Sequence, residues 1–173
     1  MPNTYTLIAS STVGAGGAAS IDFTSIPATY TDLQVVLSVR SGASYTRRVP
    51  TLTVNGSSAN DYRDLYLLGN GSSASSAADT PPQPNMLIWD APAANATANI
   101  FSNISVYIPN YASTTTYKSI SSDGVAEDNT TANTMAFVAA LYMQNTAISR
   151  LTFVVQGNFV QYSTAYLYGI KNS

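Results

Sequence analysis

Between residues 31 and 40 apolar side chains stand at every second position: Leu33, Val35, Leu37 and Val39 share one side, and Asp32, Gln34, Val36, Ser38 and Arg40 share the other. A repeat of two is that of an extended strand, whose successive side chains point to opposite faces, and it cannot lay a continuous apolar stripe along a helix. The segment therefore predicts a strand with one covered and one wet face. The pattern recurs over residues 99–108, where Ile100, Ile104, Val106 and Ile108 oppose Phe101, Asn103, Ser105 and Tyr107 until Pro109 ends the run. Shorter runs of similar character at 4–9, 19–24, 50–55, 62–68, 85–90, 115–121, 135–143, 148–155 and 164–170 bring the strand candidates to eleven.

Composition pushes the same way. Glu and Lys, which solvate helices, number only three in 173 residues: Glu127, Lys118 and Lys171. Turn-forming clusters punctuate the strands at 14–17, 55–57, 69–71, 81–84, 123–124 and 157–158. Residues 72–84 are small, polar and Pro-rich, and predict a long exposed excursion. Many short strands with this punctuation, and no repeat of 20 to 50 residues, predict one all-β domain over residues 1–173. The expected architecture is an antiparallel β-sandwich of jelly-roll type with about eight core strands plus extra short ones.

Charged residues make up 9% of the chain, against roughly 25% in an ordinary soluble domain. Its polar surface must come from 22 Ser, 20 Thr and 14 Asn. A net charge of −2 offers no basic patch for phosphates, so nucleic acid is not an expected partner. The longest apolar run, residues 135–143, is far shorter than the roughly 20 residues a helix needs to cross a bilayer, and the first residues lack the basic start of a secretion signal. No membrane association is expected.

The chain has no His and no Cys, which removes the commonest general base, nucleophile and metal ligands. Nine carboxylates remain: Asp22, Asp32, Asp61, Asp64, Asp79, Asp90, Asp123, Glu127 and Asp128. A glycosidase needs two of them across one bond, and Asp61 and Asp64, three apart on a strand, face opposite ways. The stretch from Asp123 to Asn129 gathers oxygen ligands but lacks the spacing of a calcium-binding loop, and reads as an acidic turn. The Asn-x-Ser/Thr sequons at Asn55, Asn70, Asn95, Asn103 and Asn129 are what so Asn- and Thr-rich a chain produces by chance. No catalytic residue, cofactor or metal is expected.

Three features point to surfaces instead. Arg40, Arg47 and Arg48 form the only local basic cluster, a solvated loop face whose second use is an interface. Of twelve Tyr, those nearest turns are Tyr62, Tyr66, Tyr111 and Tyr117, which suit either a sheet edge or a carbohydrate. Residues 135–155 place apolar side chains on both faces: Met135, Phe137, Leu141 and Met143 oppose Val138 and Tyr142, and then Ile148 and Val154 oppose Leu151, Phe153 and Val155. A strand covered on both sides is central to a thick core or buried against another subunit, so Met135, Phe137, Leu141, Met143 and Phe153 are the candidate subunit interface.

Several phrases carry a resemblance. They are residues 4–9 (Thr-Tyr-Thr-Leu-Ile-Ala), residues 18–27 (Ala-Ala-Ser-Ile-Asp-Phe-Thr-Ser-Ile-Pro), residues 30–33 (Tyr-Thr-Asp-Leu), residues 107–111 (Tyr-Ile-Pro-Asn-Tyr) and residues 161–170 (Gln-Tyr-Ser-Thr-Ala-Tyr-Leu-Tyr-Gly-Ile). Together they resemble small virion proteins of tailed phages from aquatic environments, phages of cyanobacteria among them. The resemblance covers most of the chain, least its middle at 41–98, and carries no catalytic or ligand motif. It implies a non-enzymatic β-sandwich module on the outer surface of a phage particle. The first expectation is a capsid decoration (cement) protein, a homotrimer that binds the major capsid protein of the assembled head, with Arg40, Arg47 and Arg48 as its candidate capsid contact. The alternative is a tail-fibre or spike receptor-binding module recognising a host surface glycan. A chain starting at Met1 without a fibre shaft favours decoration.

Overall fold

A computed structural model describes residues 4–128 and 133–171. All regular elements among them are strands, in chain order β1 (Tyr5–Thr12), β2 (Ala18–Phe23), β3 (Asp32–Ser38), β4 (Arg47–Arg48), β5 (Thr51–Val54), β6 (Tyr62–Gly69), β7 (Ala74–Ala78), β8 (Met86–Leu87), β9 (Ala91–Pro92), β10 (Asn103–Ile108), β11 (Lys118–Ala126), β12 (Thr134–Tyr142), β13 (Leu151–Phe159) and β14 (Thr164–Ile170). They form an eight-stranded sheet, β1-β14-β3-β10-β11-β12-β6-β7, a four-stranded sheet, β2-β13-β5-β8, and a ribbon, β4-β9. Every pairing is antiparallel. The antiparallel β-sandwich expected from the sequence is thus the fold. Its layers are unequal, eight strands against four, and these orders do not by themselves define a jelly roll.

The alternation in β3 does what its spacing demands. Leu33, Val35 and Leu37 are fully buried, and beside them in register lie Ile108, Val106 and Ile104 of β10 and Gly169, Leu167 and Ala165 of β14. From the small sheet Phe23, Leu52, Leu151 and Phe153 belong to the same contiguous core, with Phe153 edge-on to Phe23 at 6.3 Å between ring centres. Polar groups that enter this space bring their partners. The Tyr62 hydroxyl accepts the Val54 amide at 2.7 Å while its ring stacks on Tyr142, and burial pushes its pKa up to about 12. Lys118, equally buried, directs Nζ at the carbonyls of Ser113 (2.7 Å) and Thr116 (2.8 Å), tying the β10–β11 connection down.

Four expectations are corrected here. Residues 99–102 are not strand: Asn99 takes a left-handed φ of 64°, and β10 begins only at Asn103, after Ser102 has bonded both backbone groups of Val39. Asp123 and Gly124 are not a turn but lie inside β11. Gly124 is there because the Trp89 carbonyl rests on it: a Cβ would stand 1.4 Å from that oxygen. Gly157 and Asn158 likewise sit within β13, both at positive φ, where the register against β2 shifts in a bulge. Finally, the excursion at 72–84 is exposed as expected, yet Ala74–Ala78 pairs along β6 as the edge of the large sheet. Ala and Ser have little strand preference of their own, so this pairing is imposed by β6.

The contact at Gly124 is backbone against backbone and cannot relax by rotating a side chain. Gly124→Ala is therefore expected to cost at least about 3 kcal/mol or abolish soluble protein. Gly16→Ala, with nothing within 4 Å of its Cβ, should melt within a degree or two of the parent. Thermal unfolding of the two variants checks this.

Candidate functional site

The eight-stranded sheet covers the core with one face only. Across its other face the registers run from edge to edge: Leu7, Tyr168, Gln34, Tyr107, Ser121, Ala139, Leu65, Ala78 in one row, and Ser10, Tyr166, Val36, Ser105, Asp123, Phe137, Leu67, Ser76 in the next, with a bulge in β1 between Leu7 and Ala9. At the usual strand spacing this face is roughly 35 Å wide. Asp123 is the only charged side chain in these two rows.

Apolar character concentrates at β6, β11 and β12. Leu65 is 53% exposed, Leu67 58%, Val125 43%, Met135 63% and Phe137 53%. Phe137 stands between Asp123 and Leu67, while Met135 stands between Val125 and Gly69, its Cγ lying over the glycine where a Cβ would be 3.4 Å away. Together they line a shallow depression of about 410 Å³ with Ala74 at its rim. The large apolar side chains expose on the order of 500 Å², the size at which a patch on a soluble chain marks an interaction surface.

The structure separates the sequence-derived interface candidates. Met135 and Phe137 are on this face, Leu141 is half-buried on it opposite Arg63 and Ser119, and Met143 is half-buried just past the strand end. Phe153 is elsewhere: it is fully buried in the chain's own core and reaches no surface. Alternation along β12 sends Ala136, Val138, Ala140 and Tyr142 inward, so the second apolar face of this strand is uncovered and not central to a thicker core. Leu65, Leu67 and Val125 complete the patch and were not among the candidates. In β6 the sense of the pattern is inverted, with Tyr62 and Asp64 buried and the leucines outside, so hydrophobicity alone points the wrong way.

The arginines are not a solvated face. Arg40 is buried, and its guanidinium donates to the carbonyls of Ala96 (3.0 Å), Thr97 (2.7 Å) and Ile100 (3.0 Å). Arg47 pairs at 2.9 Å with the fully buried Asp90, which also accepts the Thr134 hydroxyl at 2.5 Å. Arg48 lies 3.1 Å over the ring of Tyr45. β4 carries Arg47 and Arg48 into pairing with Pro92 and Ala91, so two of the three guanidinium groups serve the fold and the third a neighbouring ring. Of the four turn-proximal tyrosines, Tyr62 and Tyr111 are buried, Tyr66 packs on Trp89 at 4.5 Å, and only Tyr117 is exposed.

The carboxylates are scattered. Asp61 accepts from Ser57 and Gln144, Asp22 from Arg150, Thr152 and Ser20, and Asp32 from Tyr107 and the Asn110 amide. The acidic stretch is strand up to Ala126, Glu127 accepts from Asn133, and Asn129 lies outside the described residues. Among the described residues no three acidic groups come together as a metal would need. Asp64 stands out by its titration. Burial, reinforced by the charge of Asp79, pushes its carboxyl up to about 6, although one oxygen accepts the Leu87 amide at 2.7 Å. Its other oxygen has no hydrogen-bond partner among the described residues.

Comparison with protein families, with curated proteins and with solved structures finds no match in any of the three.

Because the folded pKa of Asp64 lies above its ordinary value of 3.8, its protonated form favours folding below pH 4, and that contribution is lost as pH rises through about 6. Asp64→Asn keeps an acceptor for Leu87 and carries no charge. It should gain on the order of 1–2 kcal/mol over the parent at pH 7.5 and close to nothing at pH 4. Denaturant unfolding at the two pH values measures the difference.

Proposed function

We propose that this chain is a non-enzymatic structural protein of a virus particle, a capsid decoration (cement) protein that binds the assembled head as a homotrimer. The observation that carries this reading is the uncovered outer face of the large sheet, apolar at β6, β11 and β12, with Asp123 the one charge in its two mapped rows and Arg63 exposed in the row beside them. A face of this kind is served by contact with another protein surface. We assign the patch around Met135 and Phe137 to contact between copies of this chain. Asp123 in its two mapped rows and Arg63 in the next are the charges it presents there, so a partner of strong single-sign charge finds little to pair with, and a second copy brings a surface of equally low charge. The interface must exceed the patch itself, since a stable contact buries about 800 Å² on each side; the flanking Ala and Ser rows supply flat, low-entropy surface to extend it.

Decoration requires shape and no chemistry. A protein that binds the assembled lattice and not the dispersed capsid subunit stabilises the shell by mass action alone. The absence of His and Cys, and the dispersal of the carboxylates into separate hydrogen-bonded positions, support a role of that kind.

Sedimentation equilibrium of the parent should give a trimer, and the double variant Met135→Asp, Phe137→Asp should give a folded monomer, because exposed positions accept the charge and the interface does not. A parent that stays monomeric at high concentration removes the oligomer. Mixed with empty heads of the virus that encodes it, the protein should be taken up saturably and in fixed ratio; no uptake by those heads removes decoration.

A further inference from the structure

A second concavity, of about 400 Å³, opens where three loops meet beyond the ends of β3, β13 and β14. Its walls include Asn99 and Phe101 from the segment before β10, Val160, Gln161 and Tyr162 from the β13–β14 turn, and Arg40 at its base. It shares no residue with the apolar patch on the sheet.

The loops are held in place independently of any ligand. Arg40 gathers three carbonyls of residues 96–100. The Val160 amide donates to the Arg40 carbonyl at 3.0 Å, the Tyr162 amide to the Val13 carbonyl at 2.9 Å, and the Arg40 amide to the Ser163 hydroxyl at 3.2 Å. Asn99 and Tyr162 both stand at positive φ, 64° and 71°, and Tyr162 is 68% exposed. A tyrosine held left-handed by two flanking strands and left in solvent does nothing for the core. A preformed site of this kind loses little entropy on binding.

What the walls present narrows the ligand. Phe101 and Tyr162 offer aromatic surface. The side-chain amides of Asn99 and Gln161 and the hydroxyl of Tyr162 make no hydrogen bond to any of the described residues, so each offers its donors and acceptors to a visitor. Among the described residues no carboxylate lines the space, and the one cation there, Arg40, is buried with its guanidinium committed to carbonyls. Groups that both donate and accept, set around aromatic rings without free charge, match a molecule with hydroxyl edges and C–H faces. We propose that this cavity binds a neutral saccharide. Its ring lies against Tyr162 or Phe101 and its hydroxyls meet Asn99 and Gln161. Arg40 is a positioning residue that shapes the wall and does not contact the sugar. This assignment does not rest on the docking role of the sheet face.

The test is amide chemical-shift mapping of the full chain titrated with cellobiose, lactose, mannobiose and chitobiose, and separately with the anionic sialyllactose and digalacturonate, each to millimolar concentration. At least one neutral disaccharide should shift residues 99–101 and 160–162 saturably, with the anionic sugars no stronger. Asn99→Gly and Tyr162→Gly keep the left-handed backbone, and Gln161→Ala avoids it altogether; each should weaken binding at least tenfold with the melting temperature close to the parent's. The monomeric Met135→Asp, Phe137→Asp variant should bind undiminished. Absence of saturable shifts at these residues with every neutral sugar, preference for an anionic one, or unchanged affinity in all three single variants overturns the proposal.

Discussion

Burial between two unequal sheets is what every other part of the molecule leans on. Leu33, Val35 and Leu37 in β3, Ile104, Val106 and Ile108 in β10 and Leu167 in β14 are removed from water together with Phe23, Leu52, Leu151 and Phe153 of the smaller sheet. No disulfide exists, and of the ion pairs Arg150–Asp22 is largely exposed and so contributes little. At roughly 25 cal/mol per Å² of apolar surface, the interlayer supplies the stability that charge and covalent links do not. Groups that are polar and buried follow from this: Tyr62, Lys118 and Arg40 each carry their hydrogen bonds into the dry space, and each pins a segment that would otherwise move.

That arrangement leaves the large sheet half used. Eight strands are wider than the four that cover them, and one whole face stays in solvent with Leu65, Leu67, Val125, Met135 and Phe137 on it. The loops after β3, before β10 and between β13 and β14 are tied by the same device of hydrogen bonds and border an open concavity of quite different character, aromatic and amide-lined. Face and cavity use separate residues, so contact with protein and contact with a small polar ligand can be altered one without the other.

Strands with an apolar side were legible wherever the alternation was clean. β14 was read to the residue, 164–170, and β3 to within two, because Leu33, Val35 and Leu37 or Ala165 and Leu167 each declare a face. Gly124 and Gly157 misled, since a glycine in a strand and a glycine in a turn look alike until the neighbour that needs the missing Cβ is known: the Trp89 carbonyl in one case, the Ala43 backbone in the other. β7 was invisible because Ala-Ser-Ser-Ala-Ala has no preference to read. Of the candidate sites, Met135 and Phe137 could be recognised as surplus apolar residues, whereas Phe153 showed the same surplus and turned out to fill the core. The arginines were grouped by proximity in the chain, but charge in sequence does not reveal which carbonyls and carboxylates will surround it.

The residue pattern alone determined that this chain would be an antiparallel all-β sandwich, since side chains repeating every second position can be buried together only on extended strands stacked in two layers. Tertiary structure decided which apolar residues lie within those layers and which remain outside, whether an arginine faces water or three carbonyls, and that Asn99, Gln161 and Tyr162 share one cavity. The reason is geometric: strand pairing between residues far apart in the chain sets the order of the sheet, and that order, which no local preference encodes, selects the face each side chain shares and the neighbours it meets.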